Sequence, residues 1–290
     1  MLSTYYKDRI NNYLENEIAA LTPNDKSLKE AMGHALLLGG KRIRPFLAYS
    51  VGKLKQTSLE SLDPVAAALE CIHTYSLIHD DLPAMDDDEL RRGQPTVHIL
   101  FDDALAILAG DALHTLAFEL ISRPIPNVSA EQQLRCIHVL SKAAGYQGMC
   151  GGQAMDLAAT NQAIALESLI NIHLCKTGAL IVASIEMACI INQFSSEETE
   201  ILKKFGKNLG LAFQIQDDIL DVVGATNELG KPIGSDEHAN KSTYPQLLGL
   251  KKAQNVAEEL IHEAILGLEQ LPYDCEDLKN FALFVIKRTQ

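Results

Sequence analysis

In the stretch QIQDDILD, Gln214, Asp217, Asp218 and Asp221 recur at i, i+3, i+4 and i+7. With about 3.6 residues per helical turn, that spacing puts all four on one helix face. The positions around them are apolar: Leu211, Phe213, Ile215, Ile219, Leu220, Val222 and Val223. A helix so apolar elsewhere does not sit exposed on a surface, so the acidic row faces neither bulk water nor packed hydrocarbon. Three carboxylates in a half-buried row repel one another, and their ionised forms need cations. A metal-binding row is favoured over a solvated acidic face.

A second acidic stretch, HDDLPAMDDDELRRGQ, holds Asp80, Asp81, Asp86, Asp87, Asp88 and Glu89. Pro83 ends the helix that carries Asp80 and Asp81, so Asp86 need not keep helical phase. A turn after the proline brings Asp86 back beside Asp80. Carboxylates clustered without His or Cys ligands suit a hard, oxygen-seeking ion, magnesium ahead of the transition metals. The EF-hand spacing is absent, which argues against a calcium switch. Taken alone, this motif reads equally well as a charged surface loop.

Cations flank both motifs. GGKRIRP, Gly39 to Pro45, sets Lys41, Arg42 and Arg44 between one helix end and the next helix start. Unpaired N–H groups there add partial positive charge, so the segment reads as a phosphate cradle or, equally, as a solvated helix corner. Arg91 and Arg92 either grip a phosphate through paired hydrogen bonds or neutralise the neighbouring aspartates. Lys176-Thr177 interrupts a very apolar helix, where a lysine needs a charged partner or a water-filled cavity. Lys231 and Lys241 lie in the Gly- and Pro-containing loop after QIQDDILD. His73 falls seven residues before Asp80, on nearly the same face; a satisfied core histidine is its default reading. Gln153 and Asp156 in GGQAMDL are neighbours at i, i+3, and Gly145, Gly148, Gly151 and Gly152 nearby indicate a bend or a close backbone approach.

The elements that position these groups read as helix after helix. Ser27 and Glu30 form a capping box, and Gly39-Gly40 close that helix. Pro45 suits the first position of the next one. Asp63-Pro64 reads as N-cap and N1 of a helix that runs to Leu82. Further helices are expected over 102–122, 129–145, 150–158, 163–192, 196–223 and 242–268, with Ser195 and Glu198 as a second capping box. No repeat or long linker divides the chain, which points to one helical domain over residues 1–290.

The chain is 290 residues long and 47% hydrophobic, enough for a sizeable core. Its net charge of −13 argues against nucleic acid or an anionic membrane as partners. Six cysteines without CxxC pairing read as reduced core residues of a cytoplasmic protein. The first residues have no apolar leader-like core. The longest apolar run, Ala179 to Ile191, is interrupted by Glu186 and falls short of a bilayer.

Taken together, GGKRIRP, DDLPAMDDDELRRG, GGQAMDL, QIQDDILD and GKPIGSDEHANKSTYP resemble the motifs of the trans-prenyl diphosphate synthases, most closely the bacterial farnesyl type. The motifs occur in that family's order from about residue 25 onward. The resemblance implies an all-α isoprenoid synthase fold, antiparallel helices around a deep central cavity, usually as a homodimer. It implies three Mg²⁺ ions, held by Asp80, Asp81 and Asp86 on one side and by Asp217 and Asp221 on the other. Lys41, Arg44, His73 and Arg92 match positions that hold isopentenyl diphosphate. Arg91, Lys176, Thr177, Gln214, Lys231 and Lys241 match positions that hold the allylic diphosphate, dimethylallyl or geranyl, with Lys176, Thr177 and Gln214 nearest the chemistry.

Product length in such enzymes depends on how far the apolar cavity runs below the first aspartates. Tyr75 and Ser76 lie five and four residues before Asp80. A bulky Tyr75 is the expected floor and fits a fifteen-carbon product over a twenty- or ten-carbon one. A terpene cyclase would not need the cations around Lys41 and Arg44, and a non-catalytic partner subunit would not need both aspartate rows.

Overall fold

The computed structural model describes residues 3–22, 24–223 and 242–288. Among the described residues the chain is all-α, apart from a two-residue antiparallel ladder. Lys231 and Lys241 lie outside the described residues. The chain divides into two compact units, Leu2–His138 and Val139–Gln290.

The first unit contains α1 (Thr4–Ala20), α2 (Lys26–Leu37), α3 (Ile43–Leu54) and α4 (Asp63–Asp80). A hairpin of β1 (Leu90–Arg91) and β2 (Gln94–Pro95) follows, then α5 (Val97–Leu100) and α6 (Asp103–Ser122). The unit boundary falls within α7 (Ala130–Ala144). α4 is the core element: every residue from Asp63 to Ile72 is buried. A helix enclosed on all sides must be apolar on all sides, and VAAAL satisfies this, whereas Glu70 does not. At Gly110 of α6 a Cβ would come within 2.2 Å of the His79 ring, so glycine is what lets α4 and α6 meet there.

Three helix starts differ from expectation. α2 is capped by Asp25, whose carboxylate accepts from the Leu28 N–H at 2.7 Å; Ser27 and Glu30 lie inside the helix, and Glu30 pairs with Lys26. Asp25 wins because its carboxylate is a charged acceptor at the positive helix end. α3 begins at Ile43, so Pro45 is its third residue, still among the positions whose N–H needs no intrahelical acceptor. Leu62, not Asp63, is the N-cap of α4, because the Asp63 carboxylate is taken by Arg9 at 2.6 and 2.7 Å and by the Tyr49 hydroxyl at 2.7 Å.

The second unit contains α8 (Met149–Ala159), α9 (Leu166–His173), α10 (Ala179–Ile191) and α11 (Ser196–Val223). α12 (Tyr244–Leu248), α13 (Leu250–Leu268) and α14 (Glu276–Lys287) complete it. α11 has the expected bounds, and Ser195 and Glu198 make both bonds of the capping box. α9 and α10 form one run, joined by a π-helical turn over Leu174–Gly178 that holds Lys176 and Thr177. The helix expected over 242–268 is broken at Gly249, which adopts φ +82°. Sequence periodicity anticipated neither α1 nor α14. Ile215 and Ile219 pack with Leu169, Tyr244, Ala253 and Ala257, fixing the phase of α11 and hence of its aspartates.

Among the described residues, two helical runs, Asp103–Ser122 and Leu166–Ile191, are long and apolar enough to cross a membrane. The second includes the run that looked too short by itself, because the π turn continues it backward. Core helices of globular proteins meet the same measure, and these two windows are 44% and 61% buried. None of the six cysteines forms a disulfide. Cys71, Cys136, Cys189 and Cys275 are buried as expected, but Cys150 is exposed because the first turn of α8 directs it outward.

Candidate active site

In the first unit the chain leaves α2 through Gly39 and Gly40, both at positive φ, and enters α3 through Arg42 at φ +50°. The Arg92 guanidinium donates to the Gly39 carbonyl and lies over Gly40, where a Cβ would sit 2.8 Å from it. Glycine is therefore required at position 40 by conformation and by space. The three cations of this segment separate. Lys41 is exposed and Arg44 half-buried, with its Nε enclosed and unpartnered. Arg42 turns inward and pairs with Glu70 at 2.7 Å, so it does not belong to a phosphate cradle.

The first aspartates are brought together as the proline implied. Leu82, Met85 and Asp87 form tight turns, and the Asp86 N–H donates to the Asp80 carbonyl at 2.9 Å. Asp81 departs from the metal role implied for it. It is 3% exposed, and both its oxygens accept from Arg91 Nε at 2.8 Å. Arg91 also lies 3.6 Å from Asp88, so it neutralises its own acidic loop, whereas Arg92 reaches the Gly39–Gly40 turn. The hairpin makes this division: Arg92 and Gly93 both have positive φ, as a tight two-residue turn needs, and Arg91 and Arg92 leave it in different directions.

His73 is partly exposed by area. Burial first, then the charges of Arg44, Arg92, Arg91 and Arg42, push its imidazole well below the usual range. It is neutral near pH 7, able to donate a hydrogen bond but adding no charge. Burial also lowers Arg44 and Arg92, with Glu70 opposing in both cases. These cations are thus held at a desolvation cost that an anion would relieve. Tyr75 meets the rings of His79 at 5.3 Å and His114 at 5.0 Å edge-on, and His114 meets Phe118. Ser76 donates back to the His73 carbonyl at 2.8 Å.

In the second unit, Lys176 Nζ pairs with Asp156 at 2.8 Å, giving the half-buried lysine its partner. A Cβ at Gly152 would lie 2.2 Å from the Lys176 nitrogen, which explains the glycine in GGQAMDL. Thr177 Oγ1 donates to Gln214 Oε1 at 3.0 Å, and Gln214 Nε2 donates to Asp217 Oδ2 at 3.1 Å. The π turn thus joins the QIQDDILD motif by a hydrogen-bond chain. Neither amide atom of Gln153 has a protein partner, although both are enclosed.

The aspartate row itself divides. Asp217 and Asp221 remain half-buried, but Asp218 is 7% exposed, accepts from the Tyr244 N–H at 2.9 Å and lies 3.7 Å from His173 Nε2. A step of one residue turns a helix by about 100°, enough to move Asp218 off the shared face toward α12. Arg288 was not anticipated. It donates to Asp217 Oδ1 at 2.6 Å and to the Phe213 carbonyl at 2.9 Å, and it stacks 3.8 Å from the Phe213 ring centroid. A single cation after an apolar helix offers no local signal. Glu70, alone in VAAALECI, did.

Among the described residues no three His, Cys, Asp or Glu side chains converge on one ion position. The donor set still fits a hard divalent ion, because magnesium is usually held by one or two carboxylates with phosphate oxygens and water completing the shell. Asp80 with Asp86, and Asp217 with Asp221, are the carboxylates that would hold it.

A family model described as "Polyprenyl synthetase" matches residues 25–279. The farnesyl diphosphate synthase of Haemophilus influenzae is 49% identical over 97% of this chain and 95% of that protein. Among solved structures, an FPP/GFPP synthase from Zymomonas mobilis superposes with a TM-score of 0.87 at 37% identity, covering 97% of this chain and 96% of that one. A geranyltransferase from Helicobacter pylori, complexed with magnesium and isoprenyl diphosphate, gives 0.81 at 34% identity, covering 99% and 98%. The family model spans most of the chain and these relatives cover nearly all of it, so the chain belongs to the polyprenyl synthetase family.

Proposed function

We infer that this chain is a farnesyl diphosphate synthase, a divalent-metal-dependent prenyltransferase that joins isopentenyl diphosphate to dimethylallyl and then geranyl diphosphate. The observation that supports the reading is Arg92 held against the Gly39–Gly40 turn that leads into Lys41 and Arg44, in the same unit as the turn that sets Asp86 on Asp80. A terpene cyclase has no second diphosphate to place there. Both units act as one synthase domain over residues 1–290, a reading supported by a family match that runs across their boundary.

Lys41, Arg44 and Arg92 hold the diphosphate of isopentenyl diphosphate, with neutral His73 as a hydrogen-bond donor. Lys176, Thr177, Gln214 and Arg91, with Lys231 and Lys241, orient the allylic diphosphate. Magnesium, three ions by resemblance to the family, supplies neutralisation of the charge that gathers on the departing diphosphate. The allylic C–O bond breaks, and the electron pair of the isopentenyl double bond forms the new C–C bond to the allylic cation. A proton then leaves to the released diphosphate. Lys176 and Arg91 need not move for this, because Asp156 and Asp81 already fix them. No nucleophilic side chain is required; positioning and water exclusion do the chemistry.

Product length rests on Tyr75, with Ser76 beside it. The protein works in the cytoplasm, and it works as a homodimer, a reading that the outward apolar residues Ile99, Leu100, Ile107 and Leu108 on α5 and α6 support. The test is incubation with labelled isopentenyl diphosphate, dimethylallyl diphosphate and Mg²⁺, with an EDTA control, followed by sizing of the dephosphorylated products. A fifteen-carbon alcohol lost with EDTA is expected. A folded protein that consumes no isopentenyl diphosphate would refute the reading.

A further inference from the structure

Arg42 stands between two residues of the proposed isopentenyl diphosphate pocket, yet its side chain points the other way. The side chain is 2% exposed and its partner Glu70 3%. Its guanidinium reaches three helices at once: Asn11 Oδ1 on α1 at 2.9 Å, the Leu36 carbonyl in the last turn of α2 at 2.7 Å, and Glu70 Oε2 on α4 at 2.7 Å. Its backbone, at φ +50°, lies in a region a non-glycine residue enters only when its surroundings hold it there.

The placement explains the strain. Arg42 is the N-cap of α3, so its φ and ψ set the direction in which Lys41 leaves the turn and Arg44 enters the helix. Arg92 grips the same turn from its other end, at the Gly39 carbonyl. A guanidinium can donate along three separate directions from one rigid plane, and an ammonium at the same site cannot reach all three acceptors.

We propose that Arg42, anchored by Glu70, Asn11 and the Leu36 carbonyl, is the positioning residue of the isopentenyl diphosphate pocket and acts through the turn that presents Lys41 and Arg44. The proposal rests on the synthase reading above and adds to it a residue that touches no substrate. Glu70 is the internal counter-charge of this anchor. Its burial beside Arg42 follows from that role.

The experiment is calorimetric binding of isopentenyl diphosphate to the full chain, with steady-state KM for both substrates, in wild type, Arg42→Lys and Asn11→Ala. Arg42→Lys keeps the charge beside Glu70, so only the geometry of the anchor changes. We expect Kd and KM for isopentenyl diphosphate to rise about tenfold in Arg42→Lys, about 1.4 kcal/mol. KM for geranyl diphosphate should stay within about twofold, since a change of that size is under 1 kcal/mol. Asn11→Ala, which removes one anchor bond, shifts Kd in the same direction by a smaller factor. A folded Arg42→Lys with unchanged Kd overturns the proposal. If that variant does not fold, unchanged Kd in Asn11→Ala overturns it. Wild type that binds no isopentenyl diphosphate removes the synthase reading and this one together, whereas binding wild type with unaffected variants removes this one alone.

Discussion

Replacing Tyr75 with alanine opens the floor beneath the first aspartates. Tyr75 is half-buried, five residues and so about 7.5 Å along α4 from Asp80. Its ring is held edge-on by His79 and His114, at 5.3 and 5.0 Å. Each such contact contributes about 0.5–1.5 kcal/mol beyond area burial. Because the ring is only partly buried, the total loss falls below the ~3–5 kcal/mol of a fully buried aromatic, and we take about 2 kcal/mol. For a chain of this size that lowers Tm by roughly 4–8 °C, so the variant remains folded and can be assayed. The space left by the ring lies against His114 of α6, which is backed by Phe118 and remains as a second barrier. Tyr75→Ala therefore extends the product by one isoprene unit, to twenty carbons, without an open ladder of longer chains. The assay is chromatographic sizing of dephosphorylated products from labelled isopentenyl diphosphate, with Ser76→Ala in parallel. The Ser76 hydroxyl bonds back to its own helix, so its removal leaves chain length unchanged. An active Tyr75→Ala that still releases only fifteen-carbon product would refute the floor assignment.

Three further outcomes follow from the site geometry. Arg91→Ala removes the guanidinium that faces buried Asp81; about 3 kcal/mol of stability is lost, read as a lower urea midpoint, and an unchanged midpoint would show that the pair contributes nothing. Arg288→Gln removes the guanidinium donor from Asp217 Oδ1 and loosens the Thr177–Gln214–Asp217 chain, so kcat falls about tenfold, ~1.4 kcal/mol, while KM for isopentenyl diphosphate is unchanged; kinetics in which only KM moves would contradict this. His73 has a depressed pKa in the folded state and about 6.5 when unfolded, so between those values the unfolded chain binds more protons and stability falls as the pH falls. Thermal melts at pH 7.5 and 5.5 should show a smaller acid-induced drop in His73→Gln than in wild type, and equal drops would exclude His73 as a contributor.

Two local signals in the sequence coincide with the structure because one short segment decides each. The 3.6-residue period and the Ser195–Glu198 box set α11 from Ser196 to Val223, and Pro83 with the turns after it set Asp86 on Asp80. The aspartate, glycine and cation motifs were therefore legible, and with them the family. The partner each charge takes was not legible, because that depends on segments far away in the chain. Asp63 looked like a cap but belongs to Arg9, 54 residues earlier. Asp217 is held by Arg288, 71 residues later, and Asp218 by Tyr244, 26 residues on. Arg42 looked like one of three equivalent cations, and only the packing of α1, α2 and α4 around it turned it inward. Residue type and spacing determine which chemistry a segment can offer, since they fix charge and helical phase. Which of those groups stays available to a substrate is decided by tertiary contacts, because a buried charge is held by the nearest group that can compensate it, wherever in the chain that group lies.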